Sequence, residues 1–273
     1  MKLSIITVNL NNAEGLQETI ESVVSQTFTD FEYIVIDGGS TDGSVEIIKQ
    51  YTDKITYWVS ELDKGIYNAM NKGILQAKGK YCLFLNSGDW LTDENVISDF
   101  ILSDFAEDFI VGNVFLVDEK NISTLLKSED TNDLTFDLFY RNTLPHQAAF
   151  IKRDLFSKIG LYDEMYRIVS DWEFFIKAFV FFNCTYRHFD RIITNFDITG
   201  ISYSKENDLK VKSERDDVFQ SKYSFIYKSH KTMDERLIYL YSHEEMYREY
   251  MNLKNGKLGF IIKLILFLKN RIK

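Results

Sequence analysis

The chain has 273 residues, 45% of them hydrophobic and 15% aromatic, which suits one large α/β domain or one domain with a smaller extension. Its formal net charge of −9 argues against a nucleic-acid partner, because neutralising phosphates takes a basic surface. One proline excludes Pro-rich linkers, the two cysteines (Cys82 and Cys184) lack zinc-type spacing, and no run reaches the roughly 18–20 apolar residues of a membrane span. The start Met1-Lys2-Leu3-Ser4 meets a polar residue too soon for a signal peptide, so an intracellular, reducing location is the expectation.

Residues 3–8 are apolar and β-branched and read as a strand, with Asn9, Asn11 and Asn12 marking the turn after it. Over 14–26, Leu16, Ile20, Val23 and Val24 recur at helical spacing. A second strand over 31–36 ends in Asp37-Gly38-Gly39-Ser40-Thr41-Asp42-Gly43, and a short helix with Val45, Ile47 and Ile48 follows. A strand over 55–59, a helix over 65–77 and a buried strand over 81–85 complete a βαβαβαβ alternation. That pattern implies a mostly parallel, Rossmann-like sheet flanked by helices. The last strand is a near-continuous apolar run stopped by Asn86-Ser87-Gly88-Asp89, and Cys82 in its middle reads as a free core thiol. Asp37, Asp63 and Asp89 all fall in loops near carboxyl ends of strands, where open α/β sheets bind ligands.

The second half is less regular. Strands are expected over 109–117 and within 186–196, a β-like run over 144–151, and helices over 134–140, 154–159 and 172–182. Ser170-Asp171-Trp172-Glu173 has capping-box spacing, which would put Asp171 in the first turn of a buried helix. Core packing is the favoured role for Trp90 and Trp172 over stacking on a sugar. From about 202 to 253 the chain is charged and helical. The tail 254–273 carries Lys254, Lys257, Lys263, Lys269, Arg271 and Lys273 among apolar residues and no acid. It reads as a basic amphipathic helix for an anionic membrane surface. The alternative is a helix packed on the domain or on a second subunit, which leaves a homodimer open.

The motifs Ser4-Ile5-Ile6-Thr7 with Asn11, Ser25-Gln26-Thr27-Phe28, the 31–43 strand and loop, Glu61 to Gly73, and Phe84-Leu85-Asn86-Ser87-Gly88-Asp89 resemble family 2 glycosyltransferases with the GT-A fold. The likeness covers about residues 1–200 and is dense up to 90. It looks closest to the bacterial exopolysaccharide and O-antigen subgroup with an Asn-Ser-Gly-Asp motif. It implies a 1–200 catalytic domain, with a nucleotide-binding half over 1–90 and an acceptor half over 91–200, and a helical extension over 201–273. The implied reaction is inverting sugar transfer from a UDP- or GDP-type nucleotide sugar to a hydroxyl of a glycan or lipid-linked acceptor. Surface polysaccharide synthesis at the inner face of the cell membrane is the implied setting.

By the same resemblance Thr7 and Asp37 hold the base and ribose, and Asp63 lines that pocket. Asn11, Gly39, Asn71, Ser87 and His146 contribute to nucleotide-sugar binding. Asp89 binds Mg²⁺ or Mn²⁺, and Asp171 is the catalytic base. A hard cation neutralises the leaving diphosphate, and one or two protein carboxylates are enough to hold it. Inversion takes a base opposite the leaving group. Two departures stand out: Gly38 replaces a frequent second Asp, and Asn86 and Gly88 replace acids of the metal motif. They motivate one alternative, a non-catalytic nucleotide-sugar binder or assembly subunit. A sugar nucleotidyltransferase fits less well, since Asn9 to Ala13 has neither Gly nor Lys.

Overall fold

The computed structural model describes residues 2–131, 134–198 and 207–242. Two compact units divide the chain, Met1–Arg215 and Asp216–Lys273.

Strand β1 (Leu3–Asn9) is buried at every position and is flanked by β2 (Glu32–Asp37) and β4 (Tyr81–Phe84), both parallel to it. The short strand β3 (Tyr57–Ser60) closes that edge, in parallel with β2. The order β3-β2-β1-β4 reverses direction beside β1. A crevice beyond the carboxyl ends of β1 and β4 is therefore the expected ligand site.

Period-two alternation splits the strands between two cores. Leu3, Ile5, Tyr81, Leu83 and Leu85 join Leu16, Ile20 and Val23 of helix α1 (Ala13–Val24) on one face. On the other face helix α3 (Ile66–Gln76) lies against β1, and a Cβ on Gly73 would meet Ile6 at 2.5 Å. A side chain there would push the helix off the sheet. Helix α2 (Ser44–Gln50) packs beside α1.

The second half mixes strand directions. Strand β5 (Trp90–Leu91) and helix α4 (Val96–Leu102) lead to β6 (Phe109–Val117) and β7 (Ser123–Leu126). Helix α5 (Phe136–Arg141), β8 (Ala149–Lys152), α6 (Leu155–Lys158), α7 (Ser170–Ile176) and β9 (Tyr186–Asp197) follow. Strand β8 runs antiparallel between β4 and β6, and β9 runs parallel to β6. Aromatic rings fill the second core, with Phe109–Phe179 at 4.7 Å and Phe156–Phe174 at 4.9 Å.

Three expectations change. The run 144–151 yields a strand only from Ala149, after a tight turn over His146–Ala148. The expected helix 172–182 is α-helical only to Ile176 and becomes a π segment over Lys177–Phe181. The capping box does not form, because Ser170 Oγ accepts the Asp163 N–H at 2.6 Å and Glu173 is buried in an ion pair with Lys177 at 2.8 Å. The helices α8 (Asp208–Lys222) and α9 (Ser224–Ser242) agree with the helical extension. The tail 254–273 lies outside the described residues. Among the described residues no helix is long and apolar enough to cross a membrane.

Candidate functional site

Asp37 ends β2 and organises the loop after it. Its Oδ1 accepts from Asn9 Nδ2 at 2.8 Å and the Ser40 hydroxyl at 2.6 Å. Its Oδ2 accepts from the Gly39 N–H (3.2 Å), the Ser40 N–H (2.9 Å) and the Ser60 hydroxyl (2.6 Å). Burial raises the Asp37 carboxyl, but hydrogen bonds from Ser40, Ser60 and Asn9 outweigh it and hold the group below the usual carboxylate range. Asn11, with φ 51°, donates its N–H to Ser40 Oγ and accepts the Thr41 N–H on its side-chain oxygen. Gly39 sits in the same loop at φ 84°.

Asp63 lies against this loop. A Cβ on Gly38 would stand 2.5 Å from Asp63 Oδ2. The glycine at 38 therefore makes room for the carboxylate of Asp63 rather than only removing one. Thr7 is fully buried in the sheet, its hydroxyl 3.0 Å from that of Tyr33, so its side chain braces the floor beneath the loop.

The carboxyl ends of β1 and β4 are tied together. Asn12 Nδ2 donates to the Ser87 carbonyl at 3.0 Å, and the Ser87 N–H donates to the Val8 carbonyl at 3.0 Å. Thr19 of α1 holds the turn from beneath, donating to the Asp89 carbonyl at 2.8 Å and accepting the Gly88 N–H at 3.0 Å. Asp89 is 4% exposed. Burial pushes its carboxyl well up, backbone hydrogen bonds at Asp197 and Asn86 oppose that, and the Asp197 charge adds to it. Asn86 Oδ1 in this turn is buried without a hydrogen-bond partner. This turn thus carries two oxygen acceptors, the unpartnered Asn86 Oδ1 and the desolvated Asp89 carboxyl, and oxygen donors of this kind suit a hard divalent ion. Among the described residues no three His, Cys, Asp or Glu side chains converge as metal ligands.

Asp171, in the first turn of α7, is held from the other half. The Tyr67 hydroxyl, on α3, lies 2.7 Å from Asp171 Oδ1 and 2.6 Å from the Ile168 carbonyl. Burial and the Asp171 charge push the Tyr67 phenol well up, so it stays a neutral donor. Asn71, also on α3, clamps the segment before Asp171 through Tyr162, with bonds of 2.9 and 3.0 Å, and reaches Glu164 at 3.0 Å. His146 is buried, stacked on Phe84 at 4.9 Å and bonded to the Tyr162 hydroxyl at 2.7 Å. Burial lowers its imidazole, against the opposing pull of Asp171. Trp172 is 2% exposed and donates to the Phe139 carbonyl, which is core packing. A cavity of about 420 Å³ opens beside Asp171, walled by Lys127, Arg141, Leu144, Ile168 and Arg215.

So Asp37, Gly39, Asn11 and Asp63 form one cluster, Ser87 and Asp89 a second, and Asp171 faces a cavity with Asn71 and His146 in support. The sequence reading missed Tyr67, Thr19, Glu214 and Arg215. Glu214 accepts the N–H groups of Arg167 and Ile168 at 3.0 and 2.9 Å, fixing the loop that leads to Asp171.

Residues 4–160 match the family model described as Glycosyl transferase family 2, more than half of the chain. The chain belongs to glycosyl transferase family 2. This glycosyltransferase is 35% identical over 182 residues to a PGL/p-HBAD biosynthesis glycosyltransferase of Mycobacterium bovis, covering 64% of this chain and 69% of the relative. The fold is GT-A. S. aureus TarS matches it with a TM-score of 0.62 at 21% identity, over 74% of this chain and 38% of TarS. A fragment of TarS is also known in complex with UDP-GlcNAc. The mannosyltransferase PcManGT of Pyrobaculum calidifontis, in complex with GDP-Man and Mn²⁺, matches with a TM-score of 0.54 at 13% identity, over 71% of this chain and 56% of that one. At such identities the solved structures speak for the fold alone.

Proposed function

We propose that this glycosyltransferase is an inverting enzyme that moves a sugar from a UDP- or GDP-type nucleotide sugar to a hydroxyl of a glycan or lipid-linked acceptor. The observation that carries the reading is Asp171 at the wall of a cavity, with Tyr67 fixing one of its oxygens. The loop at 37–40 with Asp63 takes the nucleoside, with Thr7, Asn11 and Gly39 shaping it. Ser87 contributes the turn between β1 and β4, under the diphosphate. Asn71 and His146 position the segment around Asp171.

In the reaction the acceptor oxygen bonds to the anomeric carbon as the bond to the leaving phosphate oxygen breaks. Asp171 takes the acceptor proton, and the nucleoside diphosphate leaves with the electron pair. Asp89 and Asn86 would hold the Mg²⁺ or Mn²⁺, whose chemistry is to neutralise the diphosphate charge. The 1–200 catalytic domain and 201–273 extension remain our division by role. A peripheral seat on the inner membrane face through the basic tail 254–273, and a part in surface polysaccharide synthesis, agree with an acceptor carried on lipid.

The test is a screen of UDP- and GDP-sugars with Mn²⁺, followed by proton NMR of the glycoside. A product anomer opposite to the donor anomer is expected. A retained anomer would overturn the inverting mechanism.

A further inference from the structure

The cavity beside Asp171 is walled from the second half of the domain, and none of the loop residues at 37–40 or 86–89 reaches it. Its chemistry therefore bears on the acceptor. Arg215 stands in this wall with its guanidinium 4.8 Å over the Trp172 ring. A cation held on an aromatic face is oriented before any ligand arrives. Arg215 Nε is buried and has no hydrogen-bond partner. Burial pushes the guanidinium down, and the Asp171 charge pulls it back up. Lys127, exposed in the same wall, is in no ion pair among the described residues. The third cation, Arg141, bonds to Asp137 at 3.1 Å.

A planar, desolvated guanidinium with an unmatched donor suits a phosphate, which it binds through two oxygens at once. We propose that the acceptor carries a phosphate group close to its nucleophilic hydroxyl, held by Arg215 and Lys127 while Asp171 takes the hydroxyl proton. The proposal rests on the reading of Asp171 as base. Two sources of phosphate share this chemistry, the acceptor and the diphosphate of the donor. The composition of the wall favours the acceptor.

Calorimetry on the full chain separates them. The probes are sn-glycerol 3-phosphate, glycerol as neutral control, and UDP and GDP. Wild type should bind glycerol 3-phosphate and not glycerol. Arg215→Gln should weaken that binding at least tenfold and Lys127→Gln several-fold, with UDP and GDP affinities within twofold of wild type. Arg215→Lys, which keeps charge and fold, should fall between. Glycerol 3-phosphate binding that is absent, or indifferent to Arg215→Gln, overturns the proposal. A loss seen in UDP or GDP affinity instead assigns Arg215 to the donor and overturns it too. Asp171→Asn should leave glycerol 3-phosphate binding intact, so a failure of the base assignment shows in turnover and a failure of this proposal shows in phosphate affinity.

Discussion

Removing the Asp37 carboxylate tests how the loop after β2 is built. Five donors converge on its two oxygens. Asp37→Ala leaves two backbone N–H groups, two hydroxyls and the Asn9 amide without their acceptor. At about 1–3 kcal/mol for each buried donor that finds no water, a total loss of about 4 kcal/mol is expected. Asp37→Asn should be gentler. Its amide oxygen can face Gly39, Ser40 and Ser60, and its NH₂ then faces Asn9. Asn9 carries an orphaned buried Oδ1 and can turn it toward that NH₂. Connectivity survives and charge assistance is lost, for about 2 kcal/mol.

The pH dependence has a definite sign. The Asp37 carboxyl is held below its ordinary value by its hydrogen bonds, despite burial. The stability it confers is therefore present above the unfolded value of about 3.9 and lost as pH falls through the folded value. The gap between wild type and Asp37→Asn should shrink as pH drops from about 5 to about 3. Urea unfolding of the full chain at several pH values measures both effects. An Asp37→Ala variant within about 1 kcal/mol of wild type, or a gap independent of pH, would refute the reasoning.

Gly38→Ala drives a Cβ into Asp63 Oδ2, the far end of a flexible side chain. Stability should stay within about 1 kcal/mol while UDP or GDP affinity falls several-fold by calorimetry, and unchanged affinity would remove Asp63 from the nucleotide site. Tyr67→Phe removes a hydrogen bond to a carboxylate, about 1.5–3 kcal/mol, so kcat should drop roughly 10- to 150-fold with little change in donor KM. A kcat within twofold of wild type would show that Asp171 needs no such support. Burial holds the Asp89 carboxyl well above its ordinary value, so ionised Asp89 opposes folding as pH rises. Metal-free Asp89→Asn should therefore unfold at higher urea than wild type near pH 7, while losing rescue of transfer by Mn²⁺ after EDTA treatment. Full transfer by wild type in EDTA would contradict metal use.

The first half was legible because β1, β2 and β4 are apolar runs and α1 keeps strict helical spacing, with Leu16, Ile20 and Val23 all buried. The antiparallel insertion of β8 between β4 and β6 has no local signal; it is set by pairing across sequence, as of Cys82 with Ile151. Cys82 is the inert core thiol expected, its pKa pushed up to about 12 by burial. Tyr67 escaped notice because an aromatic on a helix reads as core, and only the fold reveals its hydroxyl at Asp171. Glu214 and Arg215 stand in a run of charges that reads as a solvent face. The sequence shows no reason why they turn toward the loop before Asp171 and the Trp172 ring. Ser170 and Glu173 had the spacing of a cap but were claimed by Asp163 and Lys177, tertiary partners that outcompeted the local motif.

The most direct measurement is the transfer rate of Asp171→Asn beside its affinity for UDP or GDP. Loss of the base predicts a fall of at least about 100-fold in kcat with nucleotide binding retained within twofold. Turnover at the wild-type rate would contradict Asp171 as the base.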